Sequence, residues 1–116
     1  MPTLIERLFA LAPEIRYVAT YLEGVHRSAQ RPGIEGASSS ESDKYEELIV
    51  NPTLLKLVTQ RGNIDCGGAG WVVIRYGHFY ELVVPVPEGH LSLGIELSGQ
   101  PLAIAEQVLA VAGQER

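Results

Sequence analysis

Cysteine is almost absent from this chain, which has one, Cys66, among 116 residues. A single thiol excludes a disulfide within the chain and is typical of proteins from a reducing compartment. Long apolar runs are absent too, since no stretch approaches the roughly 20 residues that a transmembrane helix requires. The N-terminal segment lacks the basic, apolar and small-residue order of a signal peptide. We therefore expect a cytoplasmic protein that does not insert into a membrane.

Positive charge is also scarce. The chain has 9 Lys and Arg against 14 Asp and Glu, which gives a formal net charge of −5. Its densest basic stretch holds only Arg27 and Arg31. Because binding to nucleic-acid phosphates requires a concentrated basic face, we do not expect nucleic acid as a partner.

What the sequence does contain is typical of one soluble domain. Apolar residues make up 46% of the chain and charged residues 20%, proportions that distinguish globular from disordered proteins. A chain of this length can bury enough apolar surface to fold without a disulfide or a metal. We therefore predict a single domain over residues 1–116.

Three apolar runs in the second half of the chain predict an antiparallel meander. Each is of strand length, rich in β-branched and aromatic residues and bounded by turn residues; they are residues 71–76, 79–84 and 91–97. Gly77 and His78 join the first two runs. Glycine in the first position of such a turn predicts type II′ geometry with a positive φ. Replacing Gly77 by alanine should then cost on the order of 1 kcal/mol.

The first part of the chain predicts a helix followed by a hairpin. Residues 2–12 have leucines at helical spacing and end at a proline. Residues 15–22 and 25–30 have the composition and alternation of strands. An acidic residue and Gly24 lie between these strands, and Gly24 can take the positive φ of a tight turn.

A loop and an interrupted helix are expected next. Residues 31–41 contain one proline, two glycines and three serines, which predicts a flexible surface loop. Helical spacing of apolar residues begins at residue 40 or 42 and continues to Gln60. Asn51 followed by Pro52 is a helix-start signal, so we expect the helix to break and restart there. The glycine that follows Arg61 is expected to end the restarted helix.

A last helix completes the predicted order of elements. Pro101 opens it, and its apolar residues cover more than one stripe. In the strand before it, Leu91, Leu93, Ile95 and Leu97 alternate with polar or small residues, which predicts one dry and one wetter face of the sheet. The order is helix, strand, strand, helix, three strands, helix (αββαβββα). Five antiparallel strands with helices layered on them form an α+β fold.

The thiol and the histidines do not have the spacing of a catalytic or metal site. Cys66 follows Asp65, whose negative charge opposes formation of a reactive thiolate. Cys66, His78 and His90 show none of the paired spacings that are typical of metal ligands. We interpret Cys66 as a buried or tolerated thiol.

Two other patterns also favour a role without chemistry. Residues 67–70 are rich in glycine but lead into a strand, whereas phosphate-binding loops open a helix. Glu46 and Glu47 point about 100° apart on a helix, so we interpret them as part of a solvated face. We therefore predict no catalytic, cofactor-binding or metal-binding residues, no cofactor, and no enzymatic activity.

The order of elements resembles the roadblock family, which includes dynein light chains and bacterial regulators of Ras-like GTPases. The fold of that family is related to profilin and longin domains. The features that carry the resemblance are the apolar strand ending at Leu22, the Glu23-Gly24 turn, the central helical segment, the strand after Gly70, the Gly77 hairpin, and the strand 91–97 before the last helix.

The resemblance implies a homodimeric scaffold or regulatory domain, with a small Ras-like GTPase as one candidate partner. Family dimers are joined through the central helices and the following strand, here residues 42–60 and 71–76. The central segment also has more apolar positions than one stripe needs, and surplus apolar surface is normally hidden in an interface. The expected interface residues are Leu48, Ile49, Leu54, Leu55, Val58, Trp71 and Val73.

A small-molecule sensor domain of the PAS or GAF type is the alternative, because such domains also layer helices on an antiparallel sheet. A pocket inside the protomer would favour the sensor. An exposed apolar helix face would favour the dimer.

Overall fold

The computed structural model describes residues 1–33 and 40–114 of the chain. The described part contains a five-stranded antiparallel sheet in the order β2-β1-β5-β4-β3. The strands are β1 (Ile15–Leu22), β2 (Val25–Gln30), β3 (Val72–Arg75), β4 (Tyr80–Val86) and β5 (Gly89–Ile95). The predicted α+β class and the predicted order of elements are confirmed.

Two helices cover one face of the sheet. Helix α1 (Leu4–Phe9) begins with a capping box, in which the Thr3 hydroxyl and the Glu6 carboxylate each accept the other residue's backbone N–H. Helix α4 (Pro101–Gln114) packs against β4 and α1. The side chains between helices and sheet form the apolar core: Leu8, Ile15, Val18, Leu82, Val84, Leu91, Leu93, Ile95, Ile104, Ala105, Val108, Val111 and Ala112. The predicted dry face of the last strand is confirmed for Leu91, Leu93 and Ile95. It is wrong for Leu97, which follows the end of β5 and is exposed.

One continuous helix, residues 40–65, covers the other face, and we call it the central helix. It consists of α2 (Ser40–Tyr45), a π-helical segment (Glu46–Val50) and α3 (Asn51–Asp65). The predicted break at Asn51-Pro52 is wrong, because Asn51 has helical backbone angles (φ −64, ψ −47) and its N–H donates to the Glu46 carbonyl. In a regular α-helix the ring of Pro52 would clash with a carbonyl four residues earlier. The wider π-turn before it accommodates the proline without ending the helix.

The two-residue turns differ from each other in backbone geometry. Between β1 and β2, Glu23 (φ 52) and Gly24 (φ 79) both have positive φ, as a type I′ turn requires. The predicted positive φ at Gly24 is thus confirmed. Gly77, in contrast, is outside the left-handed region, and a Cβ added there would meet no atom within 4 Å. The predicted type II′ turn is therefore wrong, and this geometry gives no steric reason for the cost assigned to Gly77→Ala.

The ends of several elements also differ from the prediction, among them those of the central helix and β4. The central helix continues through Gly62, which was expected to end it; a Cβ at Gly62 would lie 2.5 Å from the Gly68 carbonyl oxygen. This glycine therefore permits the following loop to approach the helix closely. Strand β4 continues through Pro85, which pairs with His90. Proline is tolerated there because the neighbouring strand β3 pairs only with the earlier part of β4.

The predicted loop 31–41 coincides largely with residues 34–39, which lie outside the described residues. At its start, the Arg31 guanidinium donates hydrogen bonds to three backbone carbonyls, those of Phe9, Ala12 and Ile15. At its end, residues 40 and 41 already belong to helix α2. Within residues 1–33 and 40–114, no helix is both long enough and apolar enough to cross a membrane.

Candidate functional site

The sheet face beneath the central helix carries polar residues in its interior. Strand alternation places Glu81 of β4 and His90 and Ser92 of β5 on this face, because Leu82, Leu91 and Leu93 point to the apolar core. All three polar residues are buried. Buried polar groups require partners, and the partners come from the central helix.

Glu47 and Asn51, one helical turn apart, insert between the central helix and the sheet. The Asn51 amide donates to Glu47 Oε1 at 3.2 Å and to Glu81 Oε2 at 3.1 Å. His90 Nε2 lies 2.8 Å from Glu47 Oε1. We call Glu47, Asn51, Glu81, His90 and Ser92 the carboxyl cluster. Its hydrogen bonds link residues that are distant in the sequence and hold the central helix onto the sheet.

The carboxyl cluster must contain a shared proton. Ser92 Oγ lies 2.7 Å from Glu47 Oε2 and 2.5 Å from Glu81 Oε2. A serine hydroxyl has one proton to donate, so the second short contact requires a proton on a carboxyl group. Burial raises the pKa of Glu81 well above its usual range, and the neighbouring Glu47 charge raises it further. The raised pKa favours Glu81 as the group that carries this proton.

A cavity of about 380 Å³ adjoins the carboxyl cluster, between the first half of the central helix and the sheet. Its lining residues are Arg16, Tyr17, Gln30, Ser42, Asp43, Tyr45, Glu46, Glu47, Val50, Tyr76, Phe79, Glu81 and Gly94. The Tyr76 hydroxyl donates to Glu46 Oε1 at 2.8 Å. Glu46 Oε2 is buried without a hydrogen-bond partner, and burial raises the pKa of Glu46. The cavity thus combines aromatic walls with carboxyl groups.

The opposite, outer side of the central helix carries a row of exposed apolar side chains. Ile49, Leu57 and Ile64 are 52%, 58% and 76% exposed. Tyr45 and Leu48 are exposed as well, but they line spaces between the helix and the sheet. The sheet-facing side of the same helix carries the polar residues Glu47 and Asn51. The exposed apolar residues therefore lie on the side of the helix that faces away from the sheet. We call Ile49, Leu57 and Ile64 the outer stripe.

The predicted interface residues do not form one surface. Leu48, Ile49 and Val58 are exposed on the central helix, and Leu54 is half-buried. Leu55 is only 7% exposed and lies on the sheet-facing side, one turn after Asn51. Trp71 and Val73 pack against the apolar core on the opposite face of the sheet. Leu55, Trp71 and Val73 therefore contribute little to a surface built on the central helix.

Sequence reasoning missed the carboxyl cluster and misplaced one of its members. Glu47 was interpreted as part of a solvated face, yet its side chain is fully buried. A signal for the cluster was present in the strands. Glu81 interrupts an apolar run, and His90 and Ser92 fall at alternate positions of the next strand. A carboxyl group on a buried strand face requires a partner from the element that covers it.

The residues considered for catalysis or metal binding are not gathered at one place. Cys66 is exposed after the end of the central helix, with its Sγ 3.3 Å from Asp65 Oδ1. His90, by contrast, is buried in the carboxyl cluster. In the part of the chain that the structure describes, no three His, Cys, Asp or Glu residues are arranged to hold a metal ion.

The fold is similar to solved structures of the roadblock type. One is a Roadblock/LC7 domain from Streptomyces avermitilis, with a TM-score of 0.72 and 12% sequence identity, covering 96% of this chain and 90% of that one. Another is MglC from Myxococcus xanthus, with a TM-score of 0.56 and 14% identity, covering 97% and 92%. No family model and no curated protein matches the sequence. The chain therefore has the fold of Roadblock/LC7 domains.

Proposed function

We propose that this protein is a non-enzymatic homodimeric scaffold or regulatory domain whose outer stripe is the dimer interface. The observation that carries the proposal is the exposure of Ile49, Leu57 and Ile64 along one side of the central helix. Exposed apolar side chains on one side of a helix are stabilised by burial against a partner. A second copy of the same helix offers a complementary apolar surface around a two-fold axis.

The position of β3 supports the same interface. β3 is the outermost strand of the sheet and pairs only with β4, so one side of its backbone is open. An open strand edge can pair with the same strand of a second protomer. Val72 and Ile74 of β3 point to the face that the central helix covers, because their neighbours Val73 and Leu82 belong to the core face. Helix and edge strand can therefore contribute to one interface.

The proposed partner of the dimer is another protein, with a small Ras-like GTPase as the first class to test. The support for this class is the roadblock fold alone. The proposal of a non-enzymatic role rests on the separation of the reactive side chains: Cys66 is exposed, whereas His90 is buried against Glu47. A nucleophile and its base would need to be within hydrogen-bond reach of each other.

Charge placed in the outer stripe tests the dimer. We expect the unmodified protein to sediment as a species with twice the 12.6 kDa mass of one chain. Leu57→Glu should sediment as a monomer, because a carboxylate buried in an apolar interface is strongly disfavoured. Leu102→Glu is the matched control, since Leu102 is 62% exposed on α4 and Leu57 is 58% exposed on the central helix. Sedimentation velocity over a range of concentrations measures the oligomeric state of the unmodified protein and of both variants.

Two results would overturn the proposal. One is an unmodified protein that stays monomeric at every concentration. The other is a loss of dimer in Leu102→Glu equal to that in Leu57→Glu, which would place the interface elsewhere. Circular dichroism of each variant establishes that the fold is retained.

A second candidate function is small-molecule sensing, which the cavity favours. Its volume of about 380 Å³ lies within the usual range of ligand sites, about 300–1,000 Å³. It borders the central helix, so an occupant would contact the element that carries the outer stripe. The two functions are compatible, because the cavity and the outer stripe lie on opposite sides of this helix.

A further inference from the structure

The central helix is attached to the sheet mainly by polar side chains. Its buried residues are Glu47, Asn51, Leu55 and Gly62, and of these only Leu55 has a large apolar side chain. Helix α4, on the opposite face of the sheet, instead buries a row of apolar residues. Because apolar burial normally fixes a helix on a sheet, the position of the central helix depends strongly on its polar contacts.

The first half of the central helix, residues 40–50, has the weakest attachment. A cavity of about 380 Å³ separates part of it from the sheet, and residues 46–50 form a π-helical segment, a geometry that is common at functional sites. Glu47 makes the buried hydrogen bonds from this half to the sheet, with Ser92 and His90 of β5. Glu46 adds a half-buried one to the Tyr76 hydroxyl. Detachment of Glu47 would therefore free most of this segment.

The contact of Glu47 with the sheet depends on a proton. The Ser92 hydroxyl lies between Glu47 and Glu81, at 2.7 Å and 2.5 Å from one oxygen of each. With a proton on Glu81, Glu81 donates to Ser92 and Ser92 donates to Glu47. Without it, two carboxylates compete for one hydroxyl proton and repel each other in a space that excludes water. Glu81 is fixed in β4, inside the sheet, so the repulsion acts to move the helix.

The other titratable and charged groups near Glu81 come from every element around it. They are Asp43 and Glu46 of the central helix, Arg16 and Tyr17 of β1, His90 of β5, and Tyr76 after β3. Arg16 bonds Glu96 at 3.2 Å, and His90 contacts Glu47. The donors to an ionised Glu81 are Asn51 and Ser92, and it would share both with Glu47. Loss of the proton therefore leaves the two carboxylates with too few donors.

We propose that the first half of the central helix is a pH-dependent switch, which lies on the sheet while the carboxyl cluster holds its extra proton and moves away when that proton is lost. The movement itself goes beyond the proposed function. Its effect on the dimer rests on that function, because Ile49 of the outer stripe lies in the moving segment.

The direction of the pH effect follows from proton linkage. With the helix closed, burial and the Glu47 charge raise the pKa of Glu81 well above its usual range. With the helix open, Glu81 is solvated and its pKa returns to the ordinary carboxyl value. Between these two values, opening releases a proton, so the equilibrium constant for opening rises by about tenfold per pH unit. Acid therefore closes the helix, and alkali opens it.

Amide hydrogen exchange, followed by NMR between about pH 5 and pH 8, tests the switch. Protection factors correct for the intrinsic pH dependence of exchange. We expect those of residues 46–51 to be at least about tenfold lower than those of β1 and β5 and to fall by up to about tenfold per pH unit. Equal protection in the helix and these strands at every pH would mean that the helix opens only on global unfolding, and would overturn the proposal.

Glu81→Gln identifies the titrating group. It removes the proton-binding carboxyl, so protection of residues 46–51 should no longer fall with pH. Glu46→Gln is the matched control, because it removes a carboxyl from the moving segment that does not contact Ser92; the pH dependence should persist in it. The reverse pattern would overturn the proposal. Glu81→Met, which is of similar length and does not ionise, replaces Glu81→Gln if that variant does not fold.

Sedimentation velocity at both ends of the pH range separates the switch from the dimer. The dimer of the unmodified protein should dissociate more readily at the alkaline end, and that of Glu81→Gln should not change. A monomer at every pH with pH-dependent exchange in residues 46–51 would overturn the dimer and support the switch. A dimer with pH-independent exchange in these residues would support the dimer and overturn the switch.

Discussion

Glu81→Gln is the substitution that best tests the shared proton of the carboxyl cluster. Burial raises the pKa of Glu81 well above its usual range. A group whose pKa is raised on folding binds its proton more tightly in the native state. Its contribution to stability is complete below the ordinary carboxyl pKa and is lost as the pH rises through the native-state value. The unmodified protein should therefore lose stability as the pH rises.

The expected magnitude follows from proton linkage. While the native state binds one more proton than the unfolded state, the free energy of unfolding falls by about 1.4 kcal/mol per pH unit. Glutamine has nearly the shape of the protonated carboxyl group and does not ionise. On the acidic side, we expect Glu81→Gln to cost about 1 kcal/mol, the value of one altered hydrogen bond to Ser92 or Asn51. On the alkaline side, the order should reverse, and the variant should be the more stable protein.

Urea unfolding at a series of pH values between about 5 and 8 measures the difference between the two proteins. His90, Glu47 and Glu46 are the same in both proteins, so the difference between the two proteins reports the change at position 81. The surface variant Glu41→Gln controls for the change in net charge. If the free energy of unfolding changes with pH in the same way for the unmodified protein and Glu81→Gln across this range, the shared proton is refuted. The Ser92 contacts would then require another explanation.

Three further substitutions test the architecture through chemical unfolding. Asn51→Ala should lower the free energy of unfolding by about 3 kcal/mol, since it leaves two buried carboxyl groups without their common donor; an effect below about 1 kcal/mol would contradict this role. Gly62→Ala should cost about 1–3 kcal/mol because its Cβ would lie 2.5 Å from the backbone oxygen of Gly68, whereas the matched change Gly77→Ala should stay within about 0.5 kcal/mol. Cys66→Ser should leave stability and self-association unchanged because the thiol is exposed; loss of dimer in this variant would reverse its assignment as a tolerated residue.

Local patterns in the sequence determined the secondary structure of the first hairpin and the face of the last strand. The bounds of β1 and β2 match the prediction, and so does the positive φ of Gly24. Alternation of Leu91, Leu93 and other core residues identified the dry face correctly. These features depend on residues close together in the chain, where steric limits and strand alternation operate directly.

Tertiary structure decided the path of the central helix through Pro52 and the identity of the buried polar residues. Asn51 has the local character of a helix cap, but hydrogen bonds to Glu47 and to Glu81 of β4 keep it inside the helix. Likewise, Glu47 is buried because Ser92 and His90 lie opposite it on β5. Contacts between residues 30 or more positions apart depend on which strands become neighbours and which helix covers them, and no local pattern contains that information.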